Sequence, residues 1–222
     1  MTDPYPLRDV SDPLRAAAET MRQVRERCVW SQRITHRDLV PYLIEESHEV
    51  IDAVEAGDRA ELREELGDLL WQVLFHSAVA AQDADEPFDI DDVARGLTEK
   101  MVRRHPHVFG DAVATTPEEV LVHWNAAKAA EKRERRSVLD GVPAGMPALA
   151  RAQKVLGRAA KVVGSDPGAE SVEGQALASE SALGDALLAL VAQARENGWD
   201  AERALRERLR RLEDEVRAAE AG

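Results

Sequence analysis

Apolar residues recur every three or four positions along most of this chain, which is the spacing of α-helices. The clearest stretch, residues 42–80, predicts two helices joined by a short turn at Gly57 and Asp58. At about 100° per residue, each helix carries one apolar stripe. The stripe residues are Leu43, Ile44, Val50, Ile51 and Val54 on the first helix, and Leu62, Leu66, Leu69, Leu70 and Val73 on the second. Because a short connection favours antiparallel neighbours, we expect the helices to pack through these stripes.

Acidic residues follow the same two helices. The first carries Glu45, Glu46 and Glu49, and the second carries Glu65 and Asp68. Measured from the centre of its stripe, Glu46 and Glu65 each fall roughly 90° to the same rotational side. In an antiparallel pair of helices, equal rotational offsets place side chains on the same flank of the pair. Glu46, Glu49, Glu65 and Asp68 are therefore expected to converge on that flank. A divalent cation with a preference for hard oxygen ligands, Mg²⁺ or Mn²⁺, would explain such a cluster.

The acidic residues can also be explained as an ordinary solvent-exposed helix face without a metal ion. Glu-rich amphipathic helices commonly present their acids to water. Arg63, close to Glu65, and Arg59, on the connection, could also neutralise part of the charge. Spacing alone leaves both interpretations open.

N-capping residues predict where the helix before the two acidic helices begins. Asp12 followed by Pro13 predicts an N-cap and a first helical position, and this helix is expected to end near Cys28. Residues 31–38 (SQRITHRD) are predicted to form a loop. Pro41 is predicted to open the first acidic helix.

The helix after the acidic pair brings cations together. Asp91 or Asp92 is predicted to lie near the N-cap, and the helix ends with Lys100, Arg103 and Arg104. Lys100 and Arg104 share a face. Such cations stabilise a helix C-terminus through its dipole, and they also suit phosphate oxygens.

A further helix starts at a capping box formed by Thr116 and Glu119, with Pro117 at the first position. It carries Trp124 and Lys128 four residues apart, so the ring and the ammonium group project together. The pair could hold a base or a phosphate, although a tryptophan at the edge of a core beside a surface lysine is common.

Glycine and proline divide the chain into regions. Residues 137–147 contain two glycines and two prolines, which favours a linker. The polar residues 1–12 are expected to form a flexible arm. We therefore expect a helical domain over 13–140 and a helical C-terminal region over 141–222. Within that region the predicted helices cover residues 148–163, 179–196 and 200–220.

Composition and charge narrow the class of protein. The 222 residues include 13 glycines, 10 prolines and only 4% aromatic residues, which suits an all-α protein. A net charge of −13 argues against nucleic acid and against an anionic membrane surface as partners. The single cysteine excludes an internal disulfide and fits a reducing compartment. Since no apolar run reaches roughly 18 residues and no signal pattern opens the chain, a cytoplasmic location is predicted.

Residues 10–150 resemble the MazG-type nucleoside triphosphate pyrophosphohydrolases of the all-α NTP pyrophosphatase superfamily. The family signature ExxE followed by ExxD is met by Glu46-x-x-Glu49 and Glu65-x-x-Asp68, within PYLIEESHEV and ELGDLLWQV. CVW near the start, RRHPHVF after the third helix and HWNAAKAAEK in the last one also agree. The resemblance implies an all-α, MazG-like helical bundle completed by homodimerisation, in which the acidic helices of two chains form a four-helix core.

The resemblance also implies a reaction and roles for individual residues. The reaction is Mg²⁺-dependent hydrolysis of NTP or dNTP to nucleoside monophosphate and pyrophosphate, which serves nucleotide-pool housecleaning. Carried over by position, the metal ligands are Glu46, Glu49, Glu65 and Asp68, and Glu45 assists. The residues implied in substrate binding are Lys100, Arg103 and Arg104 for phosphates, Trp124 and Lys128 for the nucleotide, and Trp30 for the base pocket.

This chain departs from the family pattern in two regions. Val29-Trp30-Ser31 stands where the family commonly has Pro-Trp-Asp, and Ile34-Thr35 stands where it has Gln-Thr. Residues 141–222 resemble a degenerate second MazG-like repeat, because Asp185 matches the second motif but Ala182 replaces its glutamate. We expect this region to be non-catalytic.

Three other functions remain to be considered. Glu45-x-x-His48 matches half of a carboxylate-bridged di-iron signature, but the second acidic helix offers no matching histidine. A non-catalytic nucleotide-binding or regulatory dimer could keep the fold and lose turnover. A purely structural helical dimer is the third alternative.

Overall fold

The structure, a computed structural model, describes residues 12–131, 137–163 and 179–220. Within those ranges the chain forms α-helices and one short 3-10 turn, and none of the described residues forms a strand. The all-α class predicted from the sequence is confirmed. The helices are α1 Pro13–Arg27, α2 His36–Ala56, α3 Arg59–Ala80, α4 Ile90–Arg104, α5 Pro106–Phe109, α6 Pro117–Ala130, α7 Ala148–Val163, α8 Glu180–Glu196 and α9 Ala201–Glu220.

The chain divides into two compact units, residues 1–130 and 131–222. In the first unit, α2 and α3 form a hairpin against which α1 packs. Its buried core consists of Met21 from α1, Leu39 from α2, and Leu74 and Phe75 from α3. These contacts hold the acidic helices at a fixed mutual position. In the part of the chain that the structure describes, no helix is long and apolar enough to cross a membrane.

The turn between α2 and α3 forms as predicted. Gly57 adopts φ 73°, a left-handed conformation that glycine accepts without steric cost. The Asp58 side chain then caps α3 by accepting the backbone N–H groups of Ala60 (2.8 Å) and Glu61 (3.1 Å). A two-residue connection of this kind makes the two helices run antiparallel.

Helix α2 begins earlier than predicted. Thr35 and Asp38 form a reciprocal capping box, in which the Asp38 carboxylate accepts the Thr35 N–H at 3.0 Å. Pro41 therefore lies inside the helix, where it costs one backbone hydrogen bond. The prediction that Pro41 opens the helix was wrong because this cap and the burial of Leu39 favour the earlier start. Residues 31–33 of the predicted loop form the 3-10 turn.

The apolar stripes on α2 and α3 are buried only in part, since Val50, Ile51, Leu62, Leu69 and Leu70 are half-buried. The two helices do pack, but five stripe residues are between 37% and 57% exposed: Leu43, Ile44, Val54, Leu66 and Val73. Burial is more complete at Leu39 and Ala53 of α2 and at Leu74 and Phe75 of α3. Helix α1 packs against the hairpin through Met21, and the stripe residue Leu70 lies against the same core cluster.

The starts of the two later helices of this unit agree with the sequence. Helix α4 is capped by Asp89, which accepts the N–H groups of Asp91 (2.9 Å) and Asp92 (3.1 Å), so both of these residues lie near the N-cap as predicted. Asp92 is the third residue of that capping box. At α6, Thr116 accepts the Glu119 N–H as predicted, at 3.3 Å. The Glu119 carboxylate, however, reaches back to Thr115.

The second unit contains α7, α8 and α9, whose bounds agree with the predicted helices. Its buried core consists of Leu156, Val191 and Ala192. Gly198, at φ 71°, forms the turn between α8 and α9. Arg158 of α7 donates to the carbonyl oxygens of Val138 and Asp140, both at 3.0 Å, which ties the start of the predicted linker to this unit.

Some sequence predictions fall on residues that are not described. The flexible arm lies almost wholly outside the described residues, since 1–11 are not among them. Residues 132–136 and much of the segment between α7 and α8 also lie outside the described residues. The domain bounds at 140 and the origin of the C-terminal region in a second repeat stay predictions.

Candidate active site

A cluster of carboxylates joins the acidic helices. Glu46 and Glu49 of α2 and Glu65 of α3 each contribute one oxygen, and these oxygens lie within 4.8 Å of one another. Glu46 and Glu65 are half-buried, whereas Glu49 is exposed. The hairpin thus brings together three of the four acids predicted to converge. Hard oxygen donors in this arrangement can hold a divalent metal ion.

Asp68 belongs to the electrostatic field of this cluster, although it lies outside the 4.8 Å group. Burial raises the pKa of Glu46 above its ordinary value, and repulsion by Asp68 and Glu49 raises it further. Burial likewise raises the pKa of Glu65, followed by repulsion from Glu49 and Asp68. The four predicted ligands therefore act on one another across the two helices.

The charge of the cluster favours a metal site over a solvated face. Apart from burial, the influences acting on Glu65 come from acids: Glu49, Asp68, Glu64 and Glu61, in that order. The largest influences thus do not include Arg63 or Arg59, the neutralising partners considered from the sequence. An excess of negative charge at half-buried oxygens is what a bound cation would relieve.

Two neighbours on α2 were considered in the sequence. Glu45 is exposed and contributes to the raised pKa of Glu46. His48 uses its Nδ1 to bond the Ile44 carbonyl oxygen of its own helix at 2.7 Å. Because His48 makes this hydrogen bond within its own helix, it argues against the di-iron alternative, in which the histidine would be a metal ligand.

Trp30 lies beside the acidic hairpin. Its ring meets Tyr42 edge-on at 6.3 Å and Phe75 at 6.0 Å between centroids. Trp30 is 50% exposed and Tyr42 is 41% exposed, so this aromatic surface is accessible. Because Tyr42 precedes Glu46 by four residues, the aromatic pair lies one helical turn from the cluster on the same face of α2.

The predicted cations and the second tryptophan meet where α4 contacts α6. The Arg104 guanidinium lies 4.9 Å from the Trp124 ring centroid, which is a cation–π contact. His105 approaches the same ring edge-on at 5.2 Å. Lys100, on α4, and Lys128, on α6, are half-buried. Arg103, the remaining predicted cation, is exposed at the end of α4.

The sequence interpretation missed three features of these sites. Tyr42 was not singled out as a partner of Trp30, and Arg104 was not expected on the Trp124 ring, because both contacts join separate segments of the chain. Arg25, which is 7% exposed, was also missed. A signal existed for it, since Arg25 follows the core residue Met21 by four positions and so lies on the apolar side of α1.

Comparisons with known proteins agree with this geometry. The model of the MazG nucleotide pyrophosphohydrolase domain matches residues 34–109, which span the acidic hairpin and α4. A nucleoside triphosphate pyrophosphohydrolase of Escherichia coli K12 is 35% identical over 231 residues, covering 94% of this chain and 86% of that protein. An uncharacterized 26.1 kDa protein of Streptomyces cacaoi is 50% identical over 205 residues, covering 91% and 80% respectively.

A third relative matches a shorter part of the chain. A nucleoside triphosphate pyrophosphohydrolase of Mycobacterium tuberculosis H37Rv is 48% identical over 146 residues, covering 65% of this chain and 44% of that protein. The match to the Escherichia coli protein extends over nearly the whole of both chains, and the domain model covers the carboxylate cluster. This protein belongs to the MazG nucleotide pyrophosphohydrolase family.

Proposed function

We propose that the protein hydrolyses nucleoside triphosphates, NTP or dNTP, to the monophosphate and pyrophosphate, with Mg²⁺ held by the carboxylate cluster. The observation that carries this proposal is the meeting of Glu46, Glu49 and Glu65 within 4.8 Å, in a field of further acids. Relatives in Escherichia coli and Mycobacterium tuberculosis are named for this reaction, which supports the same substrate class here.

The metal ligands in this proposal are Glu46, Glu49, Glu65 and Asp68. The residues fit the ion, because carboxylate oxygens are the donors that Mg²⁺ and Mn²⁺ prefer. Bound there, the metal would neutralise phosphate charge and lower the pKa of a water molecule. Glu45, which is exposed beside Glu46, is proposed to orient an attacking water by accepting its hydrogen bond.

The substrate must overcome the net charge of −13. Lys100 and Arg104 are proposed to bind phosphate oxygens, Lys100 as a point charge and Arg104 as a planar fork, with Arg103 assisting. Contact with the Trp124 ring restrains the Arg104 guanidinium before substrate arrives, which reduces the entropy lost on binding. Positioning and charge neutralisation of this kind are the main requirements of phosphoryl transfer.

The nucleoside has aromatic surface available to it. The accessible faces of Trp30 and Tyr42 lie near the carboxylate cluster and are suited to stacking with a base. Trp124 and Lys128 are proposed to contact the nucleotide as well.

We propose that two chains associate through the open face of the acidic hairpin. Apolar side chains on that face are substantially exposed in the single chain, namely Leu43, Ile44, Val54, Leu66 and Val73. Exposed apolar surface of this extent marks an interaction site. A homodimer in which α2 and α3 pair with their mates would bury these residues. Cytoplasmic location and the absence of a nucleic-acid partner stay predictions.

Pyrophosphate release from a panel of NTPs and dNTPs, with Mg²⁺ and with EDTA, tests the proposed function. We expect Mg²⁺-dependent release, and we expect Glu49→Ala and Asp68→Ala to lose it while circular dichroism remains helical. Glu64→Gln is the matched control, since it removes a charge from α3 without removing a proposed ligand. Metal-bound nucleotide without turnover would favour the non-catalytic binding dimer instead. Wild-type rates in both alanine variants would refute the ligand assignment.

A further inference from the structure

A buried arginine holds the connection between α1 and α2. The Arg25 side chain is 7% exposed, and its Nη1 donates to the carbonyl oxygens of Ser31 and Ile34, the latter at 3.0 Å. Its Nε donates to the Gln82 side-chain oxygen at 2.9 Å. All three acceptors are neutral oxygens. Burying a cation against neutral groups is unfavourable, and burial lowers the pKa of Arg25 accordingly.

The segment that Arg25 holds is otherwise short of regular structure. It consists of residues 28–34, which contain the 3-10 turn Ser31–Arg33. Ser31 is fully buried, and its hydroxyl bonds the carbonyl oxygens of Val24 (2.7 Å) and Cys28 (3.1 Å). The Ser31 carbonyl oxygen also accepts the Ile34 N–H at 3.2 Å, so the guanidinium adds a second donor there and links this oxygen to the Ile34 carbonyl oxygen.

The same turn carries Trp30 to the acidic hairpin. The Trp30 ring is positioned by edge contacts with Tyr42 and Phe75. If the turn shifted, these contacts would change together, because Trp30 directly precedes Ser31. The position of the accessible aromatic surface relative to Glu46 therefore depends on what fixes the turn.

We propose that Arg25 is a positioning residue for the nucleoside: its buried guanidinium fixes the turn that presents Trp30 beside the carboxylate cluster. This inference rests on the proposed function. In this role Arg25 increases the affinity for the substrate, whereas residues on α2, α3 and α4 carry out the chemical step. Arg25 touches neither substrate nor metal in this role.

Steady-state pyrophosphate release from a purine and a pyrimidine nucleotide tests the role. Arg25→Met keeps the apolar stem and removes all donors, and it should raise KM about tenfold, since a base–aromatic stack contributes on that order to affinity. Its kcat should stay within about twofold, because the phosphate and metal groups remain in place. Arg25→Lys should restore part of the KM, because an ammonium group can donate to one or both turn carbonyls.

Arg22→Met is the matched control on the same helix. Arg22 lies three residues before Arg25, but its guanidinium is exposed and pairs with Glu19 and Glu26. It should leave KM and kcat unchanged. Gln82→Ala provides a second variant in case Arg25→Met fails to fold, because Gln82 is exposed and only one of the three acceptors is lost. A smaller rise in KM is expected for it.

The only cysteine of the chain reports on the turn without any nucleotide. Cys28 is exposed, and backbone N–H groups of Ser31 and Trp30 donate to its sulfur, which lowers the pKa of the thiol. The rate of alkylation with iodoacetamide against pH gives this pKa. In Arg25→Met the midpoint should move up towards that of an ordinary thiol, and in Arg22→Met it should not move.

The outcomes separate this inference from the proposed function. Unchanged KM and an unchanged alkylation midpoint in Arg25→Met, with an active wild type, would overturn the role of Arg25. Equal losses in Arg25→Met and Arg22→Met would overturn it too, by showing a general effect on α1. A wild type that releases no pyrophosphate would instead refute the proposed function, and the alkylation midpoint would still show whether Arg25 orders the turn.

Discussion

Replacing Glu46 by glutamine removes one charge from the carboxylate cluster and keeps the shape of the side chain. Oxygens of Glu46, Glu49 and Glu65 lie within 4.8 Å of one another. At the screening of bulk water, each like charge at that range costs about 1 kcal/mol, so relief of Glu46 from two neighbours amounts to about 2 kcal/mol. Without metal, the variant should therefore unfold roughly 4–8 °C higher than the wild type.

The order of stability should reverse when metal is added. A ligand at 100 times its Kd stabilises the folded state by about 2.7 kcal/mol, and the variant, lacking one ligand, should gain much less. Differential scanning calorimetry in EDTA and in excess Mg²⁺ measures both effects. Glu64→Gln is the control: it removes a charge that acts on Glu65 but keeps every proposed ligand, so it should retain the full gain in stability from Mg²⁺.

The sign of the pH dependence follows from the raised pKa of Glu46 and Glu65. A carboxyl group whose folded pKa lies above its unfolded value binds protons more readily in the folded state. Its contribution to stability is therefore present at low pH and is lost as pH rises through the folded pKa. In EDTA, the wild type should approach the stability of Glu46→Gln as pH falls towards that value. A variant that is less stable than the wild type in EDTA, or a wild type unaffected by Mg²⁺, would refute the reasoning.

Three other predictions concern the rest of the first unit. Burial and repulsion by His36 lower the pKa of His76 below its ordinary value of 6.5. The contribution of His76 to the free energy of unfolding should therefore be full above pH 6.5 and fall as the pH drops below it. The urea midpoint of the wild type should be lower at pH 5.5 than at pH 7.5, and this difference should be smaller in His76→Gln. Arg104→Lys keeps the charge but loses the planar contact with Trp124, and kcat/KM for pyrophosphate release should fall about tenfold. Ile44→Asp places a charge on the open face of the hairpin and should yield monomers in analytical ultracentrifugation, where an unchanged dimer would contradict the proposed interface.

Helix positions were readable from the sequence where one local signal dominated. Asp12 with Pro13, the turn at Gly57, and Thr116 with Glu119 each combine side-chain capping with a fixed backbone conformation. The start of α2 was missed because two signals compete there. Pro41 is a strong helix-start residue, but the Thr35–Asp38 capping box and the buried Leu39 outweigh the hydrogen bond that proline removes.

The apolar stripes show a different limit of sequence analysis. Periodicity identifies which side chains share a face of α2 or α3, but it does not say what covers that face. Here α1 packs on the Leu39 and Phe75 side of the hairpin, and Leu66 on the stripe remains 49% exposed. Which face a third helix chooses depends on tertiary packing.

The carboxylate cluster was the most predictable part of the candidate site. Glu46 and Glu65 meet because helical geometry and a two-residue turn together fix their relative positions. Contacts between distant segments were not predictable in this way. Arg25 reaches a turn six to nine residues ahead and Gln82 across the fold, and Arg104 reaches Trp124 on another helix. Such contacts depend on how the helices pack.

The central claim is metal-dependent cleavage that yields a monophosphate and pyrophosphate. Phosphorus-31 NMR of a reaction with ATP or a dNTP, in Mg²⁺ and in EDTA, tests it most directly because the product phosphates have distinct resonances. The account predicts equal amounts of nucleoside monophosphate and pyrophosphate in Mg²⁺, and no products in EDTA or with Glu49→Ala. Release of inorganic phosphate with a nucleoside diphosphate, or cleavage at an equal rate in EDTA, would contradict it.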